Sequence, residues 1–282
     1  MTSLDALSPQ RVAVITGAAS GIGLAAARTF AAKGMHVILA DLAGEKLDHA
    51  RQLVAGEASG GATVIATATD VSRIEDVRNL REQAIALGDI GIVMNNAAIG
   101  DVGRPWDDYE TWQRLLNVNL WGVINGVQCF APVLVKQAGP SFLVNTGSKQ
   151  GITTPPGNAA YNVSKSAVKT LTEQTAHELR TVSGDRVSAH LLIPGFTFTG
   201  MTGRDEKPAA AWTAQQVVDF MLDALAKKDF YILCPDNDVQ RPTDERRMAW
   251  AMGDIIENRP ALSRWHPDHK AAFEAFMAAK QD

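Results

Sequence analysis

The chain has 282 residues, 46% of them hydrophobic and 21% charged, enough to bury a sizeable core in one large α/β domain. Its net charge of -4 lacks the basic excess that a nucleic acid partner calls for. Its 2 cysteines, Cys129 and Cys234, form no C-x-x-C pair and are too few for a disulfide framework, which fits a reducing compartment.

The opening MTSLDALSPQ has no basic stretch followed by an apolar one, and no later run reaches ~18 uninterrupted apolar residues. A soluble, cytoplasmic protein without a membrane segment is expected. RVAVIT (11–16) reads as a strand, GAASGIG supplies Gly17, Gly21 and Gly23, and LAAARTFAAKG reads as a helix ended by Gly34. Strand, glycine turn and helix in that order let backbone approach a pyrophosphate and seat the anion at a helix N-terminus. MHVILAD is a second strand ending in Asp41, whose carboxylate can accept bonds from ribose hydroxyls and repels a 2′-phosphate, so NAD is expected over NADP. The alternative for Asp41 is a helix N-cap before GEKLDHARQLVA.

ATVIATATD closes a third strand on Asp70 and Val71, and Ser72 to Glu75 reads as a capping box that opens the helix VRNLREQAIALG. DIGIVMNNAAIG gives a fourth strand and a small-residue turn, Asn95 to Ala98, with room for a flat ligand. The run from DDYETW to VKQAG reads as one long helix with Asn119 inside it.

FLVNTG is a fifth strand that brings Ser148 to a carboxyl end, where open α/β sheets place their ligands. Tyr161 and Lys165 follow in the helix NAAYNVSKSAVKTLTEQTAHELR, four residues apart on one face and about 6 Å apart along the axis. A phenol titrating near pH ~10 is a poor base in neutral water, and a neighbouring ammonium favours its phenolate. Lys165 can therefore make Tyr161 an acid/base group, with Ser148 holding a substrate oxygen.

DRVSAHLLIPG is a sixth strand, and FTFTGMTGRDEKPAAA reads as a lid over substrate. Thr213 to Gln216 is a second capping box, and DFYILCP is a seventh strand. Seven strands alternating with helices predict a doubly wound parallel sheet with helices on both faces. Beyond it, Met248, Met252, Ile255 and Ile256, then Phe273, Phe276 and Met277, form apolar stripes at helical spacing in a C-terminal helical extension. These stripes can pack on the chain's own core. With Trp212 and Trp265 they can instead cross a subunit boundary and wall a substrate pocket. The six histidines make no ligand cluster, and HPDH (266–269) is a poor metal motif, so no metal is expected.

Taken together, T-G-x-x-x-G-I-G at 16–23, Asp41, Asp70-Val71, N-N-A-A at 95–98, Asn119 in NVNLWG, Ser148, Y-N-V-S-K at 161–165 and P-G-F-T-F-T at 194–199 resemble the short-chain dehydrogenase/reductase family in its single-domain form. The resemblance covers a core of about 10–234 and leaves an extension of about 235–282 within one Rossmann domain, 1–282. It implies the strand order 3-2-1-4-5-6-7, Tyr161 as acid/base, Lys165 as the group that lowers its pKa and holds the nicotinamide ribose, and Ser148 on the substrate oxygen. Asn119 would anchor a water linking Lys165 to solvent.

Cofactor contacts are implied for Thr16, Gly17, Ser20, Gly21, Ile22, Gly23, Asp41, Leu42, Asp70, Val71, Asn96, Ala97, Ala98, Tyr161, Lys165, Ile193, Pro194, Gly195, Thr197 and Thr199. Gln150, Pro155, Asn158, Phe196 and Trp212 are the substrate candidates, apolar with few charges, which suits a neutral or weakly polar alcohol. Ala98 stands where the family usually has glycine, and Gly147 where a serine often precedes the catalytic one. The expected activity is NAD(H)-dependent interconversion of a secondary alcohol and a ketone by a homodimer or homotetramer. The competing reading is a catalytically silent NAD-binding regulator of the same fold, and a nucleotide-sugar epimerase or dehydratase would normally need a larger C-terminal domain.

Overall fold

The structure, a computed structural model, describes residues 3–100 and 102–279. Its centre is a seven-stranded, all-parallel sheet in the order β3-β2-β1-β4-β5-β6-β9. The strands are β1 (Val12–Thr16), β2 (His36–Asp41), β3 (Val64–Ala68), β4 (Ile90–Asn95), β5 (Ser141–Thr146), β6 (Val187–Ile193) and β9 (Tyr231–Leu233). Two short strands, β7 (Thr197–Phe198) and β8 (Trp212–Thr213), pair in parallel as a separate ribbon between β6 and β9. The seventh sheet strand is thus shorter than DFYILCP suggested.

Alternation along the strands assigns the two faces. Ala13, Ile15, Val37, Leu39, Ile92 and Met94 point into one core layer with α1 (Gly21–Ala32), α2 (Glu45–Glu57) and α8 (Ala214–Ala226). Val12, Val14, Ile38, Ala40, Ile90 and Val93 point into the other, with α3 (Ile74–Leu87), α5 (Gly122–Lys136) and α7 (Ala159–Ser183). Burial on both faces explains why these strands read as continuous apolar runs. β1 is flanked by β2 on one side and β4 on the other, so the chain reverses its winding there and a crevice opens above their carboxyl ends.

Two further elements depart from the sequence reading. The single long helix is divided into α4 (Tyr109–Leu116), a π-helical stretch Asn117–Trp121 and α5, and the wider turn falls on Asn119. By length and apolarity this 28-residue span, Tyr109–Lys136, could cross a membrane, yet 44% of its most apolar window is buried inside the protein. It serves as a core helix: a Cβ on Gly126 would lie 1.9 Å from Asn95 Oδ1, so α5 sits directly on β4.

The Ser72–Glu75 capping box does not form. Helix α3 starts after Arg73, and Ser72 instead gives its N–H (3.0 Å) and hydroxyl (2.6 Å) to Asp70 Oδ1. The Thr213–Gln216 box does form, with Gln216 N–H on Thr213 Oγ1 at 3.2 Å and Thr213 N–H on Gln216 Oε1 at 2.9 Å.

After a four-residue helix, α6 (Gln150–Thr153), and the segments above, the chain ends in α9 (Arg241–Ile256) and α10 (Lys270–Ala278). Trp250 is their joint. Its ring meets Phe273 at 5.4 Å and Phe276 at 5.3 Å, its Nε1–H bonds Ser263 Oγ at 2.8 Å, and the Arg259 guanidinium stacks 4.0 Å above it. Burying Trp250, Asp244 and Gly253 sets the rotation of α9, so of its apolar stripe only Met248 packs inward while Met252, Ile255 and Ile256 are exposed.

Candidate active site

A cleft of about 1530 Å³ runs along the carboxyl ends of β1, β2, β4, β5 and β6. At one end lies the glycine turn. Gly17 (φ +66°) and Gly21 (φ +53°) occupy left-handed backbone, and a Cβ on Gly17 would stand 2.8 Å from Ala97 Cα. A Cβ on Gly23 would stand 2.2 Å from the Gly17 carbonyl oxygen, so α1 can press against the turn only with glycine there. No side chain caps the first turn of α1, and Gly17, Ser20, Gly21 and Ile22 line the cleft. The first amides of such a helix form a cradle for an anion.

Asp41 is the last residue of β2 and caps no helix, since α2 begins at Glu45 after Gly44. Its Oδ2 accepts the Ala19 N–H and its Oδ1 the Leu42 N–H, both at 2.8 Å, so the carboxylate is fixed against the glycine turn. Asp41, Leu42, Asp70 and Val71 all line the cleft, as do Asn96, Ala97 and Ala98.

Thr16 and Gly23, expected at the pyrophosphate, lie behind the cleft wall. Thr16 Oγ1 accepts the N–H groups of Asn96 (2.9 Å) and Ala97 (3.1 Å) and so stitches β1 to the loop after β4. Asn96 returns a bond from Nδ2 to the Thr16 carbonyl at 3.0 Å, while Asn95 turns inward to Asn145 Oδ1 at 2.8 Å. Ile193, a buried strand residue, also does not reach the cleft, but Pro194, Gly195, Thr197 and Thr199 do.

Ser148, Tyr161 and Lys165 converge in the middle of the cleft. The Ser148 hydroxyl accepts the Gln150 N–H at 3.1 Å and stands close enough to the Tyr161 phenol to favour its phenolate. Lys165 is buried and donates from Nζ to the Thr146 carbonyl at 2.8 Å. Burial pushes its ammonium down to about 8. Burial also pushes the Tyr161 phenol up, while the Ser148 hydroxyl pulls the other way. The expected net lowering does not appear here: Lys165 Nζ stands 5.7 Å from the ring centroid, and desolvation outweighs the pull of Ser148.

The Asn119 side chain does not line the cleft. It is fully buried, with Oδ1 accepting the Ile99 N–H (2.8 Å) and Nδ2 donating to the Ile99 carbonyl (2.9 Å) and Ser164 Oγ (3.4 Å). Its amide staples the loop after β4 to α7.

Gln150, Asn158 and Phe196 line the cleft, and Asn158 Nδ2 donates to Gln150 Oε1 at 3.1 Å. Trp212 does not: it belongs to β8, and its ring packs on Phe220 at 5.9 Å against the core. Pro155 turns its carbonyl to Asn162 Nδ2 at 2.7 Å, away from the cleft. No described residue after Met201 lines the cleft, so within one chain the C-terminal segment and Trp265 form none of its wall.

Sequence reading missed the α4 contribution, Glu110, Gln113, Arg114 and Asn117, which face the cleft together. Their i, i+3, i+4, i+7 spacing was the available signal. It also missed the apolar Ile99, Val102 and Met201, which no motif marks. Among the described residues no group of three His, Cys, Asp or Glu side chains could hold a metal ion.

A doubly wound sheet whose switch-point crevice holds a glycine turn and a Ser-Tyr-Lys corner has the layout of a dinucleotide-dependent oxidoreductase. Residues 11–210 match the profile described as short chain dehydrogenase, and the chain belongs to the short-chain dehydrogenase/reductase family. It is 33% identical over 264 residues to a 1-deoxy-11-beta-hydroxypentalenate dehydrogenase of Streptomyces exfoliatus, covering 90% of this chain and 94% of that one.

A short chain dehydrogenase/reductase from Burkholderia phymatum, solved in complex with NAD, superposes with a TM-score of 0.80 at 32% identity, over 89% of this chain and 96% of that chain. An alcohol dehydrogenase from the archaeon Thermococcus sibiricus, complexed with 5-hydroxy-NADP, gives 0.71 at 25% identity over 82% of this chain and 98% of that chain. The chain is an oxidoreductase of this family.

Proposed function

We propose that the protein is an NAD(H)-dependent oxidoreductase that interconverts a secondary alcohol and a ketone, with Tyr161 as the acid/base group. The observation that carries this is the convergence of Ser148, Tyr161 and Lys165 in the same cleft as the glycine turn. The cleft fits a dinucleotide: a turn that packs tightly only with glycine at Gly17 and Gly23, open amides at the start of α1, and a fixed carboxylate at the end of β2. Gly17, Gly21 and Ile22 would hold the pyrophosphate, Asp41 the adenosine ribose, and Pro194, Gly195 and Thr197 the carboxamide. Relatives bind NAD in one case and an NADP derivative in another. The Asp41 carboxylate favours NAD, because a 2′-phosphate beside it would meet like charge.

When bound, the nicotinamide supplies the acceptor or donor for hydride. The remaining work falls to the chain's own groups. Tyr161 Oη gives a proton to the carbonyl oxygen in reduction and takes it back in oxidation. The Ser148 hydroxyl donates to that same oxygen and holds it within reach of the phenol. Lys165, anchored on the Thr146 carbonyl, keeps positive charge behind the ring, and the apolar Ile99, Phe196 and Met201 keep water from the reacting atoms. The exposed Trp121 and Val163, on the helices that carry Asn119 and Tyr161, support a homodimer or homotetramer built on that face.

Acid/base catalysis of this kind contributes roughly 10²- to 10⁴-fold. Tyr161→Phe should therefore lose at least that much turnover on a panel of secondary alcohols and ketones while its affinity for NADH stays near wild type. Near-normal turnover in the variant would refute the assignment.

A further inference from the structure

Lys149, the residue after Ser148, lies in a buried ion cluster that the C-terminal segment completes. Its Nζ stands 2.6 Å from Asp244 Oδ2 on α9 and 3.4 Å from Asp236 Oδ2 in the loop after β9. All three side chains are largely hidden, with 18%, 7% and 6% of their surface exposed for Lys149, Asp244 and Asp236. A cation held between two hidden carboxylates is demanding to desolvate and fixes geometry more than it adds stability.

The cluster reaches both loops of the proposed reaction centre. Asp236 Oδ2 also accepts the Phe196 N–H at 3.1 Å, and Asp236 Oδ1 is held by the N–H groups of Asp238 (3.2 Å) and Val239 (2.7 Å). Gly195 lies against the same group: a Cβ there would meet Asp236 Oδ2 at 2.8 Å and Lys149 Nζ at 3.0 Å. On the other side, the Lys149 carbonyl accepts the Ile152 and Thr153 N–H groups, both at 3.1 Å, and opens the short helix α6 beside Ser148. Lys149 thus ties the Ser148 loop to the Gly195-Phe196 loop, and Asp244 ties both to α9.

We propose that Lys149 is a positioning residue whose pairing with Asp236 and Asp244 sets the spacing between Ser148 and the Gly195-Phe196 loop, which makes the C-terminal segment part of the catalytic apparatus from behind the cleft. This rests on the oxidoreductase reading above. Asp244 does not line the cleft and also feels Arg247 and Arg264, so the Lys149→Met variant is what assigns an effect on turnover to its pairing with Lys149.

The test compares Asp244→Asn, Asp244→Glu and Lys149→Met in the full chain, with kcat, KM for the alcohol, NADH affinity and site-resolved amide exchange measured on folded protein. Misplacing a reacting group by about 1 Å costs up to roughly 10²-fold. Asp244→Asn should lower kcat roughly tenfold and raise KM for the alcohol, with NADH affinity near wild type. Amide exchange should quicken at Phe196 and Gln150. Asp244→Glu, which keeps the charge, should restore most of the turnover, and Lys149→Met should repeat the loss.

Unchanged turnover per folded molecule in Asp244→Asn, or equal losses in the Asn and Glu variants, would overturn the proposal. So would unaltered exchange at both amides. If the wild-type protein turns over no alcohol or ketone with either dinucleotide, the oxidoreductase reading fails by itself, and the exchange data alone decide whether the cluster positions the two loops.

Discussion

Lys165 Nζ lies 5.7 Å from the centre of the Tyr161 ring and spends a hydrogen bond on the Thr146 carbonyl at 2.8 Å. Both groups come from one face of α7, and the fold takes both largely out of water. The phenol consequently keeps its proton at neutral pH, because burial raises its pKa from the ordinary 10.

That fixes the sign of a pH dependence. With Tyr161 in the proposed acid/base role, ketone reduction uses the protonated phenol, so its kcat/KM should be level through neutrality and fall as the pH climbs towards the phenol's pKa. Alcohol oxidation uses the phenolate and should rise with pH over the same range. Profiles in both directions from about pH 6 to about pH 10 check this, and an oxidation rate that falls with pH would contradict it.

Lys165 is also a stability liability. Its ammonium titrates at about 8 in the folded protein against 10.5 unfolded. Below pH 8 both states are protonated and the full penalty applies; between 8 and 10.5 the unfolded chain holds the extra proton, so stability rises with pH. Lys165→Met should then be more stable than wild type at pH 7 by up to about 3 kcal/mol, less the cost of leaving the Thr146 carbonyl without its donor. Denaturant melts should show this gain shrinking at alkaline pH, in a variant that has lost most of its turnover.

Gly23→Ala tests the cradle. Its methyl would enter within 2.2 Å of the Gly17 carbonyl oxygen and 2.8 Å of Asn96 Nδ2, and the first of these is backbone that cannot swing aside. A loss of about 1 to 3 kcal/mol is expected, with weaker dinucleotide binding. Thermal melts with and without NADH separate the two effects.

Asp41→Asn removes the charge and keeps the shape. The Ala19 and Leu42 N–H groups that now bond the carboxylate can bond the amide oxygen one at a time, so the turn should persist. Affinity for NADPH should improve relative to NADH by about tenfold, or about 1.4 kcal/mol. Paired fluorescence titrations would show it, and an unchanged ratio would remove Asp41 from the specificity argument.

The local chemistry was legible in the chain itself. Strand, glycine turn and helix around Gly17, Gly21 and Gly23, the terminal carboxylate of β2, and the four-residue step from Tyr161 to Lys165 each depend on neighbours in sequence. Backbone geometry and helical periodicity transmit such information directly, and the second capping box at Thr213 was readable for the same reason.

Tertiary structure decided the rest, because the deciding contacts join residues far apart in the chain and burial is a property of the whole fold. Thr16 stitches β1 to the loop after β4. The Asn119 side chain is fixed to the Ile99 backbone. Ser72 satisfied Asp70 and left α3 uncapped. The phenol's pKa moved up because desolvation, which no spacing encodes, outweighed the pull of the Ser148 hydroxyl. The ion pair between Lys149 and Asp244 crosses from β5's loop to α9, and only folding brings that pair together.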